Sequence, residues 1–183
     1  MEVTQTKLEG CFILQPKIYA DERGYFLETF NQKTFEEKTG LQINFVQDNE
    51  SKSSYGVVRG LHFQNGEHAQ AKLVSVGRGK VLDVAVDVRK DSPTFMQYVA
   101  IELSGQNKTQ LFVPRGFAHG FAVLEDDTVF TYKCDNFYNK QSEAGLYLGD
   151  AQLDIDWQVP KEKWIISEKD QVLPNIEEYL KTI

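Results

Sequence analysis

Apolar and polar residues alternate with a period of two through much of the middle of the chain, the pattern of strands with one buried face. Val57–Gln64 is one such run, Gln70–Val76 another with Lys72, Val74 and Val76 on one face, and Lys80–Val88 a third. In the third, Leu82, Val84, Val86 and Val88 share a face and Asp83 and Asp87 fall on the other. Gln97–Leu103, Gln110–Val113, His119–Leu124 and Thr128–Asp135 continue the series. The breaks between them are Gly77-Arg78-Gly79, Ser92-Pro93-Thr94, Ser104–Asn107, Pro114-Arg115-Gly116 and Glu125-Asp126-Asp127, all turn chemistry. Before this block, Cys11–Leu14 reads as a short buried strand, Asp21–Gly24 as a turn, Tyr25–Phe30 as a strand and Ile43–Asn49 as a strand with a polar end. Ser51–Gly56 reads as a polar loop. Residues 31–40 predict a short helix stopped by Gly40, and Pro174–Leu180 a C-terminal helix with proline at its start. Trp157–Lys163 is irregular. Many short strands with regular turn signals predict an all-β fold, a jelly roll or barrel with a few peripheral helices. No linker or repeat divides residues 1–183, so one domain is expected.

Composition narrows the function. A hydrophobic content of 41% is enough for a packed core, and a net charge of −7 argues against general binding of nucleic acid or anionic membranes. A small anionic ligand held by a few local cations stays compatible with that charge. The two cysteines, Cys11 and Cys134, fit neither a metal spacing nor a disulfide framework, and a reducing cytoplasm is expected. Polar residues interrupt the N-terminus where a signal peptide would lie, and no apolar run reaches the length of a membrane span.

The densest chemistry is in Arg59-Gly60-Leu61-His62-Phe63-Gln64. His62 and Gln64 alternate with Leu61 and Phe63. Arg59 falls on the apolar parity, so it can share a site with His62 only across a bulge, which Gly60 would permit. If the strands close a barrel, one parity of each lines the lumen, and His62, Lys72, His119 and Tyr132 could all face it. Two imidazoles, an ammonium and a phenol suit proton abstraction beside a carbonyl: a base takes the proton, a cation holds the enolate and a phenol returns a proton from elsewhere. Asp170 could orient the base and raise its basicity. Each of these side chains also has an ordinary structural role open to it, such as an exposed strand lysine or an aromatic at the core edge. Metal binding is the alternative chemistry. Pro114–His119 has the spacing of the second half of a cupin signature, but His62 is followed two residues later by Gln64 rather than histidine, and Glu67 and His68 lie in a turn with Gly66. That breaks a two-histidine, one-carboxylate set.

Several motifs together resemble the dTDP-4-dehydrorhamnose 3,5-epimerase family: Asp21–Glu28, Gln47-Asp48-Asn49, Arg59–Gln64, Ala69–Val74, Asp83–Asp87, Ser92-Pro93-Thr94, Pro114–Phe121, Tyr132-Lys133-Cys134 and Ser167–Asp170. The resemblance implies a cupin-type jelly roll that epimerises a dTDP-4-keto-6-deoxyglucose-type nucleotide sugar at C3 and C5, in dTDP-L-rhamnose-type deoxysugar biosynthesis. It implies His62 as base supported by Asp170, Lys72 at the enolate oxygen and Tyr132 as the acid on the opposite face. It places Arg23, Phe26, Glu28, Gln47, Asp48, Asn49, Arg59, Lys72, His119, Tyr138, Glu143 and Lys169 against the substrate. No cofactor or metal is implied, because the substrate ketone is the electron sink. It also implies a homodimer with exchanged N-terminal strands, in which Arg23 serves the neighbouring site. Two segments depart from the family pattern. Asn65-Gly66-Glu67-His68 stands where prolines are usual, and Leu146–Asp150 replaces a more usual Arg-Trp-Asn-Asp. Relatives that epimerise only C3 or only C5 exist, and a non-catalytic sugar-binding cupin is a further alternative.

Overall fold

The structure, a computed structural model, describes residues 1–182. Its strands are β1 (Glu2–Gln5), β2 (Phe12–Gln15), β3 (Tyr19–Asp21), β4 (Gly24–Phe26), β5 (Gln47–Ser53), β6 (Val58–Gln64), β7 (Lys72–Arg78), β8 (Lys80–Asp87), β9 (Tyr98–Ser104), β10 (Gln110–Val113), β11 (Phe117–Val123), β12 (Thr128–Cys134) and β13 (Glu143–Gly145). Three short helices accompany them: α1 (Gln32–Thr39), α2 (Glu168–Gln171) and α3 (Ile176–Leu180). A six-stranded sheet runs β1-β2-β10-β7-β12-β5, a five-stranded sheet runs β13-β6-β11-β8-β9, and β3-β4 stands apart as a hairpin. The pairing within these sheets is antiparallel, as in a jelly roll.

Three apolar layers hold the sheets. Between them lie Val74, Val76, Val81, Ala85, Leu111, Phe121 and Phe130. Behind the five-stranded sheet, Leu61, Phe63, Leu82, Val84 and Val86 pack on Leu146, Leu148, Trp157 and Tyr179 from the C-terminal segment. Behind the six-stranded sheet, Phe35 of α1 packs on Leu14, Leu73 and Phe112. Strand β8 is therefore covered on both faces. Its apolar parity meets the C-terminal segment, while Asp83 and Asp87, both 0% exposed, sit on the inner side instead of in solvent.

Local chemistry explains the ends of the elements. The Asn31 side chain accepts from the Thr34 N–H at the start of α1, and Gly40 closes it at φ 72. In α3, Asn175 and Glu178 form a reciprocal capping box. The observed strands differ from the expected ones in the N-terminal quarter and around Gly79. Strand β4 ends at Phe26 rather than Phe30, and its residues are exposed. Strand β5 begins at Gln47 and absorbs Ser51–Ser53, expected as loop. Its polar residues are accommodated because Gln47, Asn49 and Ser51 line a cavity rather than a core. Only Gly79 turns the chain between β7 and β8, since Gly77 and Arg78 remain in the strand.

Candidate active site

Strand β6 carries the first wall. His119 of β11 pairs with His62 and Phe121 with Arg59, so Gly60 and Leu61 together oppose the single Gly120. This is a β-bulge at the position where the alternation of Arg59 and His62 requires one. Gly60 has φ 120, and a Cβ there would meet Gly120 Cα at 2.6 Å and His119 O at 2.8 Å, so only glycine fits. As a result Arg59 and His62 line the same cavity, of about 620 Å³, with Asn49, Lys72, His119, Tyr132, Lys169 and Asp170. A second hollow of about 300 Å³ shares His62, Lys72, Tyr132 and Asn49 with the first and adds Gln47, Gln64, Tyr138 and Glu143. The two hollows are lobes of one site between the sheets. His62 and His119 come from the five-stranded sheet, and Lys72, Tyr132 and Asn49 from the six-stranded sheet facing it.

His62 Nε2 lies 2.7 Å from Asp170 Oδ1, and Asp170 Oδ2 accepts from the Gly60 N–H at 3.3 Å. Ser167 caps α2 and holds Asp170 in place by accepting its N–H. Burial works to raise the Asp170 carboxyl, but hydrogen bonds from His62, Gly60 and Ser167 together keep it below the ordinary aspartate range. Asp170 is therefore an anion. Nε2 donates to it, and the free lone pair of His62 is on Nδ1. His119 is built in the same way. Its Nε2 lies 2.9 and 3.1 Å from the carboxylate oxygens of Asp83, and its ring stacks on Phe130. Asp83 was not among the expected site residues. The signal for it was a carboxylate on the face of its strand opposite Leu82, Val84 and Val86.

On the facing wall, burial lowers the Lys72 ammonium below the ordinary lysine range, while Cys134, Asp83 and Glu143 pull it back up. Burial raises the Tyr132 phenol, so it holds its proton at neutral pH, although Arg59 pulls in the other direction. Arg59 also donates to Ser53 Oγ at 3.1 Å. At the second lobe, Tyr138 donates to Glu143 at 3.1 Å, and Lys169 pairs with the same carboxylate. Burial favours a neutral Glu143, but these two partners hold its pKa down. Gln47 donates to Asn49 at 3.0 Å.

Four expected site residues lie elsewhere. Asp48 points to the other face of β5, where Lys133 pairs with it at 2.9 Å, because a strand turns neighbours to opposite sides. Arg23 sits on the β3-β4 hairpin, 84% exposed and paired with Asp21. Phe26, on the same hairpin, is 66% exposed. Glu28 accepts from Asn31 at the start of α1. No group of three or more His, Cys, Asp or Glu able to hold a metal occurs among the described residues.

With this geometry in hand, similarity to known proteins is extensive. The family described as dTDP-4-dehydrorhamnose 3,5-epimerase matches residues 5–178. The dTDP-4-dehydrorhamnose 3,5-epimerase of Shigella flexneri is 51% identical over 170 residues, 93% of each chain. The crystal structure of the enzyme of that name from Elizabethkingia anophelis superposes with a TM-score of 0.93 at 57% identity, covering 97% of both chains. That of the Legionella pneumophila epimerase, solved with dTDP-4-keto-L-rhamnose, gives 0.92 at 46% identity, covering 96% of this chain and 93% of the other. The chain belongs to the dTDP-4-dehydrorhamnose 3,5-epimerase family.

Proposed function

We propose that this isomerase inverts C3 and C5 of a dTDP-4-keto-6-deoxyhexose, the step its family performs on the way to dTDP-L-rhamnose, and that residues 1–183 act as one domain. One observation carries the assignment of roles: His62 and Tyr132 stand on facing sheets with a single cavity between them. Inversion needs a base on one side of the sugar ring and an acid on the other. The hydrogens at C3 and C5 flank the C4 ketone and are acidic for that reason. His62 Nδ1 takes the proton, and the electron pair moves into the C4 carbonyl. Lys72 faces the developing enolate oxygen, and Tyr132 donates its proton to the opposite face of the carbon. The ketone itself accepts the electrons, so the chemistry asks for no cofactor. Arg59 and Lys169 supply donors for the diphosphate oxygens, and His119, with Nε2 engaged by Asp83, faces the sugar. Gln47, Asn49, Tyr138 and Glu143 line the lobe left for the nucleoside. Arg23, Phe26 and Glu28, remote from this cavity, complete the cavity of a second copy in a homodimer with exchanged N-terminal strands. Nucleic acid and membranes have no part in the reading; no helix among the described residues is long and apolar enough to cross a membrane. Two buried free cysteines suit a cytoplasmic setting.

The test is proton NMR of dTDP-4-keto-6-deoxyglucose with the enzyme in heavy water. Signal loss at both C3 and C5 is expected. Loss at one carbon alone would make the enzyme a monofunctional epimerase, and loss at neither would remove the catalytic reading. The His62→Ala enzyme should lose about 10²- to 10⁴-fold in kcat and still bind dTDP.

A further inference from the structure

We infer that Gln64 is a positioning residue that ties the strand bearing His62 to an aromatic loop gripping the nucleotide, an inference that rests on the functional reading above. Gln64 follows His62 by two residues on β6 and is 6% exposed. Its Oε1 accepts from the Asn139 N–H at 2.6 Å. Its Nε2 donates to Phe137 O at 3.3 Å and to His68 O at 2.9 Å. One buried side-chain amide thus takes the place of backbone pairing for a loop that belongs to no strand. The loop is residues 136–139, between the end of β12 and the 3₁₀ turn at Lys140–Ser142.

The unusual segment Asn65–His68 supplies the other half of the clamp. It folds as a 3₁₀ turn over Gly66–His68. Asn136 Nδ2 donates to Glu67 O at 2.8 Å, and Gln70 Nε2 donates to Asn136 O at 2.8 Å. Asn139 Nδ2, which can only donate, lies 3.0 Å from His68 Nε2, so His68 accepts there. From the cavity side, Gln47 Oε1 accepts the Tyr138 N–H at 3.2 Å.

The pinned loop displays two large aromatic side chains, with Phe137 64% and Tyr138 53% exposed. Tyr138 lines the second lobe together with Gln64, His62 and Lys72. Exposed aromatic faces on an immobilised loop beside a cavity fit a flat, partly apolar ligand group, here the pyrimidine base of the nucleotide. A loop held before binding spares the ligand the entropy of ordering it. Because Gln64 and His62 share a strand, the same bonds set the distance from stacking face to base. The contribution is made equally in ground state and transition state, so it belongs in affinity and KM rather than in kcat.

Gln64→Met keeps the volume of the side chain and removes all three bonds. Its dTDP affinity by calorimetry and its KM for dTDP-4-keto-6-deoxyglucose should weaken together by about tenfold, the scale of one or two net hydrogen bonds. Its kcat should stay within about threefold of wild type. In a Phe137→Ala/Tyr138→Ala background the same substitution should cost nothing more. If Gln64→Met does not fold, Gln64→Glu provides the same reading, since it keeps the acceptor for Asn139 and loses both donated bonds. Unchanged dTDP affinity, an equal loss in the background without the aromatic pair, or a fall in kcat at constant KM would overturn the role. An enzyme that binds dTDP but exchanges no sugar hydrogen would remove the functional reading, and the dTDP series would still decide whether Gln64 positions the loop.

Discussion

A base that removes a proton can return it only to the face it came from, so inversion depends on a second group. This makes Tyr132 separable from His62. In Tyr132→Phe the enolate still forms, and His62, having exchanged its proton with solvent, delivers deuterium back to the original face. The expected result is deuterium at C3 and C5 of unchanged configuration, with inverted product reduced by about 10²- to 10⁴-fold. NMR in heavy water reads both quantities in one sample, and a loss of exchange parallel to the loss of inversion would make Tyr132 part of proton removal as well. Parity allowed several of these residues to face one lumen, but gave none of them a role. His62 and Lys72 sit between apolar neighbours, Tyr132 shares its parity with Phe130, and Gly60 marked the bulge that brings Arg59 to the same side. Asp83 was illegible for the same reason. Parity set it opposite Leu82 and Val84, and nothing in one strand reveals that both of its faces are covered. Asp48 lay inside a legible motif, yet the alternation of that motif turns it away from Gln47 and Asn49.

At the scale of the element, the β6 bulge and the loop after β8 each rest on a small set of atoms. In Gly60→Ala the new Cβ would collide with the Gly120 backbone, and the residue would be held at φ 120. A loss of roughly 2–4 kcal/mol in urea unfolding is expected, with kcat falling as His62 shifts against Asp170. The loop after β8 is organised by Asp87. Burial alone would raise this carboxyl, but Arg89, Ser92 and Thr94 all donate to it and hold it at about 2, below its ordinary 3.8. A depressed native pKa means the ionised group favours the fold above about pH 4, and the contribution drains away as pH falls toward about 2. Its size is on the order of 2 kcal/mol. Urea midpoints between neutral pH and pH 2.5 should therefore fall further for wild type than for Asp87→Asn, which begins lower and lacks this titration. The strands from β6 to β12 were legible because apolar residues recur at alternate positions in each and turn residues separate them. Strand β13, of three residues, was not expected, while β5 and β4 were expected with other bounds, since β5 is polar on both faces and β4 is exposed.

The whole molecule presents one surface that its own packing leaves unexplained. The β3-β4 hairpin and the residue before it expose Ile18, Tyr19, Tyr25 and Phe26 at 41%, 54%, 58% and 66%. Arg23 on the same hairpin pairs with Asp21 and lines neither lobe of the cavity that holds His62. Pattern reading placed a strand there but could not show that it stands free of both sheets, because its apolar residues look like those of a core strand. An exposed apolar arm carrying an arginine makes sense if a second copy receives it, in which case each cavity draws on two chains. Dimerisation should be visible by light scattering, but only mixing shows whether the arm serves the neighbour. Arg23→Ala protein keeps His62 and lacks the arm's cation, while His62→Ala protein keeps the arm and lacks the base. Each should be strongly impaired alone. After subunit exchange half of the dimers are mixed, and each of those holds one cavity with both groups intact, so activity should recover to about a quarter of wild type. If Arg23 serves its own chain, every cavity in the mixture still lacks one group and no recovery occurs.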